Sequence, residues 1–163
     1  MSKVIKSLIK ILSIDPSGNG TTGICLIWGQ EKFFYQFVSK KWQEHYQYVL
    51  NLVKKEKPLI ILIETSYYEQ KGGASLGMFS LKKLVGALEC LKFHTPSQVI
   101  TIRNQETKKW GQKIKTGKNL VPGLIYKDKK LFYKELKISQ HQADALIIYY
   151  LYDRSHPFIK SSP

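Results

Sequence analysis

Leu59-Ile60-Ile61-Leu62-Ile63-Glu64 is a run of five apolar residues followed at once by a carboxylate. A continuous apolar run of that length, entered through Pro58, marks a strand buried on both faces, as in the middle of an α/β sheet. Glu64 therefore ends a buried element, and two more acids stand in similar surroundings. Asp15 closes Ile11-Leu12-Ser13-Ile14-Asp15, and Asp144 lies inside Ala143-Asp144-Ala145-Leu146-Ile147-Ile148. An ionised carboxylate is costly there unless something pairs with it, and a metal ion is a common partner. Three such acids point to a divalent-metal site.

Outward from residues 59–63 the chain alternates between strand and helix patterns. Residues 8–14 read as a first strand, ended by Pro16 and the turn-forming Ser17-Gly18-Asn19-Gly20. Residues 23–28 and 33–38 are two more strands, joined through Gly29-Gln30-Glu31-Lys32 as a hairpin. Within 41–56, Trp42, Tyr46, Val49, Leu50 and Val53 have helical spacing, and Pro58 closes that helix.

Residues 65–75 form a loop rich in Gly, Ser and Tyr, followed by an amphipathic helix carrying Leu76, Phe79, Leu84, Ala87, Leu88 and Leu91. Residues 99–102 are a short fifth strand. Periodicity weakens over 103–137, where 127–137 reads as a solvated helix that also touches a nucleic-acid backbone. Ser139 and Gln142 form a capping box that opens a nearly all-apolar helix to about Tyr152. The order predicts an α/β fold with a five-stranded mixed sheet flanked by helices. Strands 1 and 4 would be central neighbours with the last helix across them, so that the three acids could converge. Residues 1–154 are expected to be one domain and 155–163 a flexible tail.

Lysine plus arginine number 26 against 12 acids, a net charge of +14. Such a surplus favours a polyanionic partner, nucleic acid before membrane. Lysine-rich composition also tracks an AT-rich genome, but that does not explain so few acids. Residues 103–137 hold 11 basic and 3 acidic side chains. Lys108, Lys109, Lys113, Lys115 and Lys118 are the candidates there for phosphate contacts. Cys25 and Cys90 read as small core residues, not a disulfide framework. Lys3, Lys6 and Lys10 interrupt the apolar residues of the N-terminus, so no signal peptide is expected. No segment is long enough to cross a bilayer. A cytoplasmic protein of a bacterium or phage is the expectation.

Each acid has a simpler reading too. Asp15 could begin an Asx-type turn, and Glu64 could face solvent or pair with a lysine. Asp144 lies too deep in its helix to cap it, and His141, three residues earlier, shares its helical face. Tyr67 and Tyr68 occupy the loop just after Glu64, where a ring could stack on an unpaired base.

Ile14-Asp15-Pro16-Ser17-Gly18 with Thr22-Gly23, then Leu62-Ile63-Glu64, then His141-Gln142-Ala143-Asp144-Ala145-Leu146, resembles the RuvC-type Holliday junction resolvases. These belong to the RNase H-like nuclease superfamily. The resemblance implies a dimeric, Mg²⁺-dependent endonuclease that nicks four-way DNA junctions symmetrically. By motif, Asp15 matches the first-strand aspartate, Glu64 the glutamate ending the fourth strand, and Asp144 the last-helix aspartate. His141 falls where members carry a histidine or another aspartate. Helix 76–91 corresponds to the dimer helix, and Tyr67 or Tyr68 to a base-stacking aromatic. One departure is a first turn a residue longer than the usual Asp-Pro-Gly, with Ser17 in place of the glycine.

The chemistry asks for the same residues. Two Mg²⁺ ions roughly 4 Å apart can activate a water and stabilise the leaving oxygen. Mg²⁺ prefers hard oxygen ligands, and Mn²⁺ would substitute. Asp15 would bridge the ions, Glu64 and Asp144 would hold one each, and His141 would assist. The acids alone also permit a nuclease acting on RNA/DNA hybrids, forks or flaps, and the fold alone permits a non-catalytic branched-DNA binder.

Overall fold

The computed structural model describes residues 9–65 and 76–156. Its central sheet contains β1 (Lys10–Asp15), β2 (Thr21–Trp28), β3 (Glu31–Val38), β4 (Ile60–Thr65) and β5 (Gln98–Arg103), in spatial order β3-β2-β1-β4-β5. The pairs β1–β2 and β2–β3 are antiparallel, whereas β1–β4 and β4–β5 are parallel. Among the described residues four helices flank it: α1 (Trp42–Glu56), α2 (Leu76–Glu89), α3 (Asn104–Lys115) and α4 (Gln140–Ser155). This is the mixed sheet expected from the sequence, with β1 and β4 adjacent at its centre.

Side-chain alternation along the strands divides the interior into two cores. Ile11, Cys25, Ile27, Ile60 and Leu62 face α3 and α4 and pack against Trp110, Ile114, Leu146 and Ile147. Leu12, Ile14, Ile24, Leu26, Ile61 and Ile63 face the other way, against Val49 and Val53 of α1 and Leu84 and Leu88 of α2. The unbroken apolar run of β4 follows from this, because both faces of the sheet are covered. α1 ends where Lys57 turns left-handed at φ 49°, its N–H bonding the Val53 carbonyl at 2.8 Å, just before Pro58.

Several expectations need correction. Residues 127–137 are not a helix but most of a second, antiparallel sheet: β6 (Leu124–Lys127), β7 (Lys130–Tyr133) and β8 (Leu136–Ile138). The buried residues Leu124, Leu131, Tyr133 and Ile138 seat this sheet on the α4 side of the core, and period-two alternation wins over the high charge. The hairpin turn between β2 and β3 spans only Gly29-Gln30, with Gly29 at φ 60°. Cys90 is not a core residue. It is exposed on the 3₁₀ turn Cys90–Phe93 that continues α2, whereas Cys25 is fully buried and its thiol is pushed up to about 12 by desolvation. The last helix runs to Ser155, and Tyr67, Tyr68 and residues 157–163 lie outside the described residues. Among the described residues no helix is long and apolar enough to cross a membrane.

Candidate active site

Asp15 and Glu64 meet because their strands are parallel and in step. The register Ile14↔Ile63 makes Asp15 and Glu64 the next pair, at the C-terminal ends of β1 and β4. Alternation then puts both on the face covered by α4. The Ser13 hydroxyl donates to the Ala145 carbonyl and ties α4 to that face. Gly23 stands opposite Asp15 on β2, and a Cβ there would lie 2.2 Å from the His141 carbonyl carbon. Glycine is what lets the helix begin so close to the strand. The capping box is formed: Ser139 Oγ accepts from Gln142 N–H, and the Gln142 side chain accepts from Ser139 N–H at 2.9 Å. That fixes the phase of α4 and hence where His141 and Asp144 face.

Four predicted side chains are thus drawn into one cluster. His141 Nδ1 lies 2.7 Å from the nearly buried Asp15 Oδ2, across 126 residues of sequence. That hydrogen bond, ahead of all other causes, holds the His141 ring above its usual range. Burial and then the Asp15 charge push the Glu64 carboxyl up to about 8, helped by a hydrogen bond between the two carboxyls. The same two leading causes push Asp144 up to about 6. Gln140 opposes them by donating to Asp144 Oδ1 at 2.9 Å, as does the nearby charge of Lys115. These shifts are the response of crowded, desolvated negative charge short of a counter-charge.

The donor chemistry suits a hard divalent cation, since three of the four groups are carboxylates. Thr107 adds a sign of a polar site: its buried hydroxyl is near enough to Glu64 to lower that pKa, yet completes no hydrogen bond of good geometry among the described residues. As they stand, however, no three His, Cys, Asp or Glu groups among the described residues are gathered closely enough to hold a metal ion. Asp15 is instead engaged by His141 and Glu64.

The loop after Asp15 is braced from behind. Ser17 N–H donates to Thr22 Oγ1 at 3.0 Å, and Thr22 Oγ1 lies 2.8 Å from Nδ1 of the fully buried His45. His45 Nε2 faces the Ser39 carbonyl at 3.0 Å and so carries the ring proton, leaving Nδ1 to accept from Thr22. Gly18 lies so close to α2 that a Cβ would meet Leu81 N at 2.3 Å.

The five predicted lysines do not line one cleft. Lys108 and Lys115 line a cleft with Gly111, Gln112, Gln140 and Asp144. Lys109 and Lys113 are on another side of α3, where Lys109 pairs with Glu106 at 3.1 Å, and Lys118 lies past the helix end. Gln140 and Thr107 escaped notice in the sequence. The i, i+4 spacing of Gln140 and Asp144 was the available signal for the first; Thr107 carried none.

No family model and no curated protein matches the sequence. Solved structures do. RuvC from T. thermophilus in complex with a Holliday junction substrate superposes with a TM-score of 0.61 over 95% of this chain and 99% of its own, at 14% identity. A second Thermus thermophilus RuvC structure gives 0.59 over 93% and 97%, at 15% identity. The chain has the RNase H-like fold of RuvC. The yeast mitochondrial Holliday junction resolvase Ydc2 is similar as well, with a TM-score of 0.56 over 97% of this chain and 84% of that one, at 15% identity. The likeness to RuvC expected from the short motifs is therefore matched along nearly the full chain.

Proposed function

We propose that the chain is a structure-selective DNA endonuclease that resolves four-way junctions. One observation carries the reading: Asp15, Glu64, His141 and Asp144, drawn from two strands and a helix, cluster at the C-terminal ends of the two central strands of a chain with net charge +14. The fold neighbours support it, since two of the three are Holliday junction resolvases by name or by bound substrate.

Asp15, Glu64 and Asp144 would hold Mg²⁺, with His141 beside Asp15. Bound there, the metal supplies charge neutralisation at the scissile phosphate and an activated water. The protein's own groups do the rest. His141 orients Asp15 and can carry a proton, Gln140 holds Asp144, and Lys108 and Lys115 receive the phosphate backbone along the cleft. Paired nicks require two such sites. A dimer through α2 would provide them, although Leu84 and Leu88 of that helix are consumed by its own core, leaving Phe79 exposed.

The test is a labelled synthetic four-way junction incubated with protein in Mg²⁺ and in EDTA. Paired nicks on opposing strands, lost in EDTA and in Asp144→Asn, are expected. Intact junctions at saturating protein, over many junction sequences, would overturn the activity. An RNA/DNA hybrid and a forked duplex in parallel lanes fix the substrate class.

A further inference from the structure

The cleft beside Asp144 opens into a second groove. Lys115 and Gln140 line both, and the second continues along the small sheet past Tyr126, Lys129, Lys130 and Lys137. Among the described residues, four lysines and no acid line it. Lys129, Lys130 and Lys137 are exposed and make no ion pair among the described residues.

Local structure here runs against local preference. Lys127 and Lys130 face one another as a cross-strand pair of like charges, which weakens a hairpin. Between them Asp128 and Lys129 form a two-residue turn with φ 51° and 58°, a conformation suited to Asn-Gly. A lysine there costs backbone energy that glycine would not. Broken local rules of this kind are expected at functional or strained sites. A polyanion would neutralise the lysines. Tyr126, 38% exposed among them, adds an aromatic face, and such a face serves only bases that are not already stacked in a duplex.

We infer that this groove takes a DNA strand in unpaired form as it leaves the acidic cluster, with its phosphates on Lys115, Lys129, Lys130 and Lys137 and a base stacked on Tyr126. The inference rests on the nuclease reading for which phosphate lies at Asp144, not for the binding itself.

Binding of a fluorescein-labelled forked duplex with one single-stranded arm, and of the same duplex made blunt, is measured by anisotropy in EDTA over a range of salt. Wild-type protein is expected to prefer the forked substrate. Lys129→Gln/Lys130→Gln/Lys137→Gln should lower the slope of log affinity against log salt by about 2, at roughly 0.7 per phosphate contact on a single strand. Tyr126→Ala should weaken forked binding about tenfold with the slope unchanged, and Tyr126→Phe should restore it. Lys54→Gln/Lys55→Gln/Lys57→Gln, at the far end of α1, should change neither. An unchanged slope in the groove triple variant overturns the inference even if wild-type protein cuts junctions. Equal losses on blunt and forked DNA overturn the assignment to an unpaired strand. If wild-type protein binds but never cuts, the nuclease reading fails while the salt slopes still decide for or against the groove.

Discussion

His141 Nδ1 and Asp15 Oδ2 lie 2.7 Å apart, joining the first turn of α4 to the end of β1. The bond aligns the carboxylate that sits between Glu64 and the helix. His141→Ala should therefore slow single-turnover junction cleavage by about 100-fold, the scale of a positioned proton carrier. His141→Asp should recover part of the rate. A rate within twofold of wild type for His141→Ala would remove the histidine from the site.

Glu64 links the site to stability. Its pKa is raised to about 8 from an ordinary value of 4.5, so ionising it costs folding free energy. The penalty is absent below the unfolded value, grows between the two and is complete above the folded one. In EDTA, Glu64→Gln should melt above wild type at roughly pH 9 and level with it at roughly pH 4, each kcal/mol shifting Tm by roughly 2–4 °C. Added Mg²⁺ should raise the melting temperature of wild type more than that of the variant. A variant that melts lower at both pH values in EDTA would contradict the desolvated-charge account.

Gly23→Ala tests the close seat of α4. The new methyl would fall 2.2 Å from the His141 carbonyl carbon and oxygen, backbone that cannot swing aside. A loss of about 1–3 kcal/mol in denaturant unfolding is expected, together with loss of cleavage at temperatures where the protein stays folded. Full activity in that variant would show that the helix need not sit so close.

Phe79 is the α2 side chain to test for self-association, being 52% exposed while Leu84 and Leu88 are fully buried. Phe79→Glu should weaken a dimer about 30-fold, the ~2 kcal/mol of a hot-spot side chain, and turn paired nicks into independent single ones. Light scattering on wild type and variant reads the first effect, and a cruciform plasmid reads the second. A wild type of monomer mass would leave the paired-nick scheme without its dimer, and equal dimer masses for both proteins would remove Phe79 from the interface.

The core of the fold was legible because it obeys short-range rules. The run Leu59–Ile63 announced a covered strand, and Ser139 with Gln142 announced where α4 begins. The three acids were visible for the same reason, as charges where the pattern demands hydrocarbon. The small sheet was not legible, because strands of three or four residues crowded with lysine carry too little periodicity, and the turn at Asp128-Lys129 lacks the Asn-Gly pair that announces a hairpin. The split among the lysines also stayed hidden: Lys108 and Lys115 share one side of α3 and Lys109 another, which becomes meaningful only once Asp144 shows which side faces the cleft.

The in-step pairing of β1 with β4 sets a parity rule on this polypeptide. Removing one residue from either strand would rotate its terminal carboxylate through the sheet into hydrocarbon on the opposite side. Removing two would preserve direction and change only reach. Odd-and-even counting before each acid, rather than the identity of the residues between, is what brings both acids to the same side.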